Sequence, residues 1–127
     1  MIINRPEMII NQHPAQPRDK RLGIGFWFTR DRQDLPDPID FYDADWDPKE
    51  RSVVAYYLEH GELQNRYHGQ SECRICAIRN GSYDLGDNKY IWPSGFAHYI
   101  RKHGVRPPQE FVDHVWKQVS KGTTKEP

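Results

Sequence analysis

Two cysteines and two histidines constrain this chain more than any other residues: CRIC at 73–76 and HYIRKH at 98–103. Two thiolates and two imidazoles make a ligand set that zinc favours, tetrahedral and closed. Cys73 and Cys76 fit a tight turn that aims both sulfurs at one ion. Twenty-one residues then separate Cys76 from His98, more than in a simple finger. That gap contains YDLGDNKYIW, two short strand signals around Gly86-Asp87-Asn88, and such a hairpin returns the following helix over the cysteine turn.

The histidine spacing raises a difficulty. Positions five apart on a regular helix differ by about 140° around its axis. His98 and His103 converge only if the last turn loosens, which Gly104 directly after His103 allows. His114 or His68 is the substitute if one of them fails to converge. Blander readings compete. The cysteines can be ordinary thiols or a redox pair, but a redox pair wants a helix starting at it, and SECRICAIRNG runs on into turn residues. His98 can be a packed core residue, and His103 a cation at a helix end.

The rest of the chain makes a metal useful. Apolar residues are 36% of the 127 positions and mean hydropathy is −0.93, low for a single domain that must build its own core. Aromatic residues at 13% compensate in part, because each ring buries a large area. A structural ion supplies the remainder. Charge balances, with 18 basic and 18 acidic residues, which argues against a dedicated polyanion binder. The balance is patterned: residues 1–33 carry 6 − 3 = +3, residues 34–62 carry 2 − 9 = −7 and residues 63–127 carry 10 − 6 = +4. The favoured reading is that these blocks face one another or are solvated; an acidic partner-binding patch is the sharper one.

No signal peptide is expected, since Arg5, Pro6 and Glu7 interrupt MIINRPEMIIN before an apolar region develops. Cysteines this few make no disulfide framework, so the expected compartment is the cytoplasm. The Met1–Asn4 and Met8–Asn11 duplication reads as an accident or as two start codons. Residues 1–22 read as a flexible arm, 23–121 as one α+β domain with its zinc-binding part at 63–121, and 122–127 as a frayed tail.

Within the domain, LGIGFWFTR predicts a strand centred on Phe26, Trp27 and Phe28. DLPDPIDFYDADW is a loop whose Asp43, Asp45 and Asp47 start like a calcium site, but Pro48 and the misplaced loop glycine and closing Glu argue against one. Asp47-Pro48-Lys49-Glu50 is a capping box, so a helix runs from about Pro48 to Glu59 with Val53, Val54, Tyr57 and Leu58 inward, ended by Gly61. Leu63–Tyr67 predicts a strand leading to the cysteines. Ser94 is the expected cap of a short helix that Gly104 stops, and Pro108 opens a last helix with a stripe of Phe111, Val112, Val115 and Val119. The expected fold is therefore a small zinc-stabilised α+β domain. Its cysteine turn, hairpin and short helix pack with an N-terminal strand and two further helices.

WPSGFAHYIRKHGVRPPQEFVDHV, with CRIC upstream, resembles a group of short, functionally uncharacterised bacterial proteins. They carry a C-x-x-C turn followed by W-P-x-G-x-x-H-Y-x-x-x-H-x-V-x-x-P-x-x-F. Cys73, Cys76, Trp92, Pro93, Gly95, His98, Tyr99, His103, Val105, Pro108 and Phe111 match, and the similarity extends over most of 36–115. Ala77 stands where such turns commonly have glycine. The resemblance implies a compact metal-bound unit and brings no reaction with it.

Three functions compete. The first, and the one the ligands favour, is a non-enzymatic Zn2+-stabilised module that binds another protein, with Trp27, Trp46 and Trp116 as candidate exposed aromatics. A bacterial or phage accessory role suits that module; the second function is a zinc-finger-like nucleic-acid binder. It would use Arg74, Arg79, Arg101, Lys102 and Arg106 on phosphates and Tyr90, Trp92 and Tyr99 for stacking. The third is a zinc-dependent hydrolase. His60-Gly61-Glu62 before the cysteine pair superficially matches the deaminase pattern, but Glu72 replaces its proline and Gly61 reads as a helix stop. No catalytic residue is assigned. Four protein ligands leave no position for water, so a closed site argues for structure.

Overall fold

The computed structural model describes residues 6–122. Helix α1 spans Pro48–Glu59 and starts as its sequence predicts: Pro48 has no N–H to satisfy, and the Asp47 carboxylate accepts from the Glu50 amide at 3.3 Å. The return half of the capping box is not made. Glu50 instead accepts the indole N–H groups of Trp46 at 2.9 Å and Trp116 at 3.1 Å. Val53, Val54, Tyr57 and Leu58 are buried, with Ala55 beside them. At Gly61 a Cβ would lie 2.6 Å from the Trp92 ring, so only glycine lets the chain turn there against the core.

A four-stranded mixed sheet follows in the order β1-β4-β3-β2, with β1 at Leu22–Gly23, β2 at Glu62–Glu72, β3 at Arg79–Gly86 and β4 at Tyr90–Pro93. β1 is parallel to β4; the other pairs are antiparallel. β3 and β4 are the hairpin expected around Gly86-Asp87-Asn88, and β2 runs five residues beyond the predicted Tyr67. The β2–β3 pairing carries three register shifts, and the outer part of β2 stands exposed. Tyr90, Ile91 and Trp92 of β4 are fully buried, and the Trp92 indole donates to the Leu58 carbonyl at 3.0 Å. Helix α2, Phe96–His103, and helix α3, Gln109–Ser120, complete the core with Phe96, Ile100, Phe111, Val112 and Val115. Val119 packs against its margin. Gly104, at φ 61, ends α2 in the left-handed conformation that glycine tolerates. The molecule is a small α+β domain.

Four expectations need correction. The strand centred on Phe26–Phe28 is confined to Leu22–Gly23: Gly25 takes φ +81 where a Cβ would meet the Phe96 ring at 2.5 Å, and the chain leaves the sheet there. Ser94 does not cap α2; Gly95 does, without a side-chain bond, while the Ser94 amide goes to the Tyr83 carbonyl at 2.8 Å. Residues 6–22 are no loose arm. Met8 is fully buried, Ile10 bridges Gly23, and His13 lies 2.7 Å from the buried Asp84 carboxylate. Trp27 and Trp46 are core residues and Trp116 is half-buried, because the apolar surface of a chain this short draws its large rings inward. The remainder of the expected arm, 1–5, and of the expected tail, 123–127, lies outside the described residues.

The acidic block and the C-terminal basic block meet in ion pairs. Arg101 holds Glu59 through two contacts, at 2.7 and 2.8 Å, and Arg106 holds Asp43 at 2.8 Å. Among the described residues no helix is long and apolar enough to cross a membrane.

Candidate metal centre

Cys73 follows the last residue of β2 and opens a turn closed by two backbone bonds, Ala77 N to Cys73 O at 2.8 Å and Cys73 N to Ile78 O at 2.9 Å. Inside it the Ile75 amide points at the Cys73 sulfur, 3.4 Å away. Ala77 sits at φ 63. The turn thus demands the left-handed conformation for which glycine is the easier residue, and alanine adopts it at a cost of about 1 kcal/mol. Tyr99, one residue past His98, anchors the turn from α2: its hydroxyl accepts the Arg74 amide at 2.7 Å. Burial, with the Cys73 sulfur nearby, pushes the Tyr99 phenol up to about 12.

His98 and His103 meet at the end of α2. Their ring centroids are 5.1 Å apart, the rings crossing at 73°. Both belong to α2, whose cap Gly104 donates its amide to the Tyr99 carbonyl five residues back. One donor atom from each of Cys73, Cys76, His98 and His103 lies within 4.8 Å of every other. A tetrahedral ion with metal–sulfur bonds near 2.3 Å and metal–nitrogen bonds near 2.0 Å requires separations of about 3.8 Å between sulfurs and about 3.5 Å between sulfur and nitrogen. Cys76 Sγ and His98 Nε2 stand 3.4 Å apart. His103 Nε2 is buried and has no hydrogen-bond partner, the state of a nitrogen whose partner is an ion rather than a protein group. Burial lowers the pKa of His98, and His103 and Lys102 lower it further, so the uncharged ring that a metal binds is favoured. The cluster can hold a metal ion.

The substitutes stay apart from it. His114 Nε2 contacts Asp87 Oδ2 at 2.7 Å, and His68 is exposed on the outer half of β2. His60 stacks on Tyr56 at the end of α1, with ring centroids 4.0 Å apart. Of the cations considered for phosphate contact, Arg74, Arg79 and Lys102 are exposed, whereas Arg101 and Arg106 are engaged by carboxylates. Tyr90, Trp92 and Tyr99 are core rings with no face free for a base.

Two polar centres escaped the sequence reading. Asp87 in the β3–β4 turn accepts from the Tyr57 hydroxyl, His114 Nε2, and the amides of Lys89 and Tyr90. Buried Asp84 accepts on one oxygen from His13, Asn65 and Tyr67, at 2.7, 3.0 and 2.6 Å. His13 Nδ1 accepts the Ala15 and Gln16 amides, which leaves Nε2 to donate. The Asp-Asn of the hairpin signal announced the first as a turn, without its distant partners. Nothing local announced the second.

A family model described as Domain of unknown function (DUF7919) matches residues 41–116, a span that takes in the cysteine turn, the hairpin and α2. No curated protein and no solved structure matches the chain.

Proposed function

We propose that this chain, which belongs to the DUF7919 family of unassigned function, is a zinc-stabilised, non-enzymatic module that binds another protein. The observation that carries the reading is the convergence of the Cys73, Cys76, His98 and His103 donor atoms within 4.8 Å. Two sulfurs with two imidazole nitrogens suit Zn2+ better than the oxygen-seeking divalent ions. With four protein ligands in place the ion has no position for a water nucleophile, so its work is to join the cysteine turn to α2. The unbridged thiols fit a reducing compartment such as the cytoplasm. Protein is favoured over nucleic acid as the partner because Arg101 and Arg106 are already paired and the stacking rings are buried.

Protein purified without chelators is expected to hold about one zinc per chain. X-ray absorption is expected to count two sulfur and two nitrogen neighbours. A first-shell water would overturn the non-enzymatic reading. Co-purification from the native host is expected to recover a protein partner from the wild type and not from Cys76→Ser. Recovery of nucleic acid alone, with affinity that falls steeply as salt is added, would replace protein by nucleic acid as the target.

A further inference from the structure

The outer side of the metal turn borders a groove of about 440 Å³ lined by Ile39, Tyr42, Arg51, Ile75 and Lys102, with His103 and Gly104 between them. We propose that this groove is the docking site, and that it takes an acidic segment of the partner carrying one aliphatic or aromatic anchor side chain. The proposal rests on the protein-binding reading above and adds to it a place and a chemistry.

Three apolar side chains open into this one concave surface: Ile39 is 61% exposed, Tyr42 63% and Ile75 38%. Singly such residues need no explanation; gathered in a cleft they form a patch of the kind that marks an interaction site. Their wall is preformed. Tyr42 bridges Val105, the Asp43 amide donates to the Gly104 carbonyl at 3.0 Å, and the Arg106 amide donates to the Phe41 carbonyl at 2.9 Å. A side chain entering the groove therefore meets backbone already ordered, which lowers the cost of binding.

Charge selects the rest of the ligand. Arg51 and Lys102 both line the groove, and among the described residues no ion pair engages either of them. Arg101 and Arg106, in the same region, are already matched by Glu59 and Asp43. Two thiolates neutralise a divalent ion, so the metal adds no net charge to the face and the two free cations set its sign. Carboxylates flanking an apolar anchor complement this surface. Phosphates would use the cations and leave the isoleucines uncovered. The ion also shapes the site directly, since Ile75 lies between the two cysteines and His103 is both ligand and lining residue.

The test selects a displayed library of random peptides on the zinc-loaded full chain, then measures the enriched peptides against Ile39→Ser, Lys102→Glu and, away from the groove, Lys89→Glu. All three side chains lie on the surface, so each variant is expected to keep its zinc and melting temperature. Enriched peptides are expected to carry Asp or Glu around a Leu, Ile, Phe or Trp. Ile39→Ser and Lys102→Glu are each expected to weaken them about tenfold, Lys89→Glu hardly at all, and zinc removal to abolish binding. Basic or purely polar winners, or no enrichment, overturn the proposal. Acidic winners indifferent to both groove variants remove the groove and leave the binding-module reading intact. An oligonucleotide that binds and is lost in Lys102→Glu but not in Ile39→Ser overturns the peptide in favour of nucleic acid. Wild type that dimerises while both groove variants stay monomeric would make the occupant a second copy and refute a separate partner.

Discussion

Replacing Asp87 by alanine removes the acceptor for four donors: the Tyr57 hydroxyl, His114 Nε2 and the amides of Lys89 and Tyr90. The two side-chain donors come from α1 and α3, so the loss loosens the hairpin from both helices. Tyr57 is only 5% exposed. A buried donor stripped of a charged acceptor costs about 1.5–3 kcal/mol, and the turn amides, once hydrated, add about 1 kcal/mol between them. The expected loss is about 4 kcal/mol at neutral pH, out of a total stability on the order of 10 kcal/mol for a chain of this length. Asp87→Asn keeps an acceptor for the turn but sets a donor against Tyr57 and His114, for a loss of about 3 kcal/mol. Acid provides the control. Burial raises the pKa of Asp87, but the bonds from His114, Tyr57 and the two amides outweigh it and hold the group below the ordinary carboxylate range. Its contribution is therefore complete above the unfolded value of about 3.9 and is lost as pH falls through the lower folded value. Urea unfolding is expected to show the gap between wild type and Asp87→Asn at about pH 7, narrowing at about pH 3. A loss below about 1 kcal/mol at neutral pH, or a gap that does not narrow in acid, would refute the reasoning.

Ala77→Gly is expected to change stability by no more than about 1 kcal/mol, because relief of the left-handed strain offsets the added chain entropy, while the β-branched Ala77→Val should destabilise and slow zinc uptake; calorimetry and a metal-release indicator read both. Arg101→Ala is expected to cost less than about 1 kcal/mol, since the Arg101–Glu59 pair is more than one-third exposed and screened by solvent; a larger loss by urea unfolding would mean that the pair organises the α1–α2 contact. Asp84→Ala removes the acceptor for His13, and amide exchange is expected to accelerate in residues 8–22 while α1 stays protected; unchanged exchange there would make Met8 burial alone the anchor.

The helices were legible because their signals are local. Asp47-Pro48, Gly104 and the apolar stripe of α3 each act within a turn or two of their own position. The hairpin was legible for the same reason, and so was the convergence of Cys73, Cys76, His98 and His103, because their residue types and spacing alone pointed to it. The rest depended on partners far along the chain. The aromatic run at 26–28 has every local attribute of a strand, yet Gly25 against Phe96 turns Trp27 into the core. His13 in a polar, proline-broken stretch looks like linker until β3 supplies Asp84. Arg101 and Arg106 looked like phosphate contacts because their carboxylates lie 42 and 63 residues away.

The three register shifts between β2 and β3 bear on how the protein behaves when concentrated. β2 is an edge strand of eleven residues, mostly exposed, and a long, flat edge of that kind invites another chain to extend the sheet. Where the pairing slips, the strand twists and its spare N–H and C=O groups fall out of line, so a second copy cannot match them over a useful length. Glu62, Arg66, His68 and Glu72 along the same strand add charge and bulk that a flat fibrillar stack would have to bury. The irregular ladder would thus make an open strand a poor template for aggregates, and straightening it would be expected to shorten the shelf life of the protein before it altered the fold.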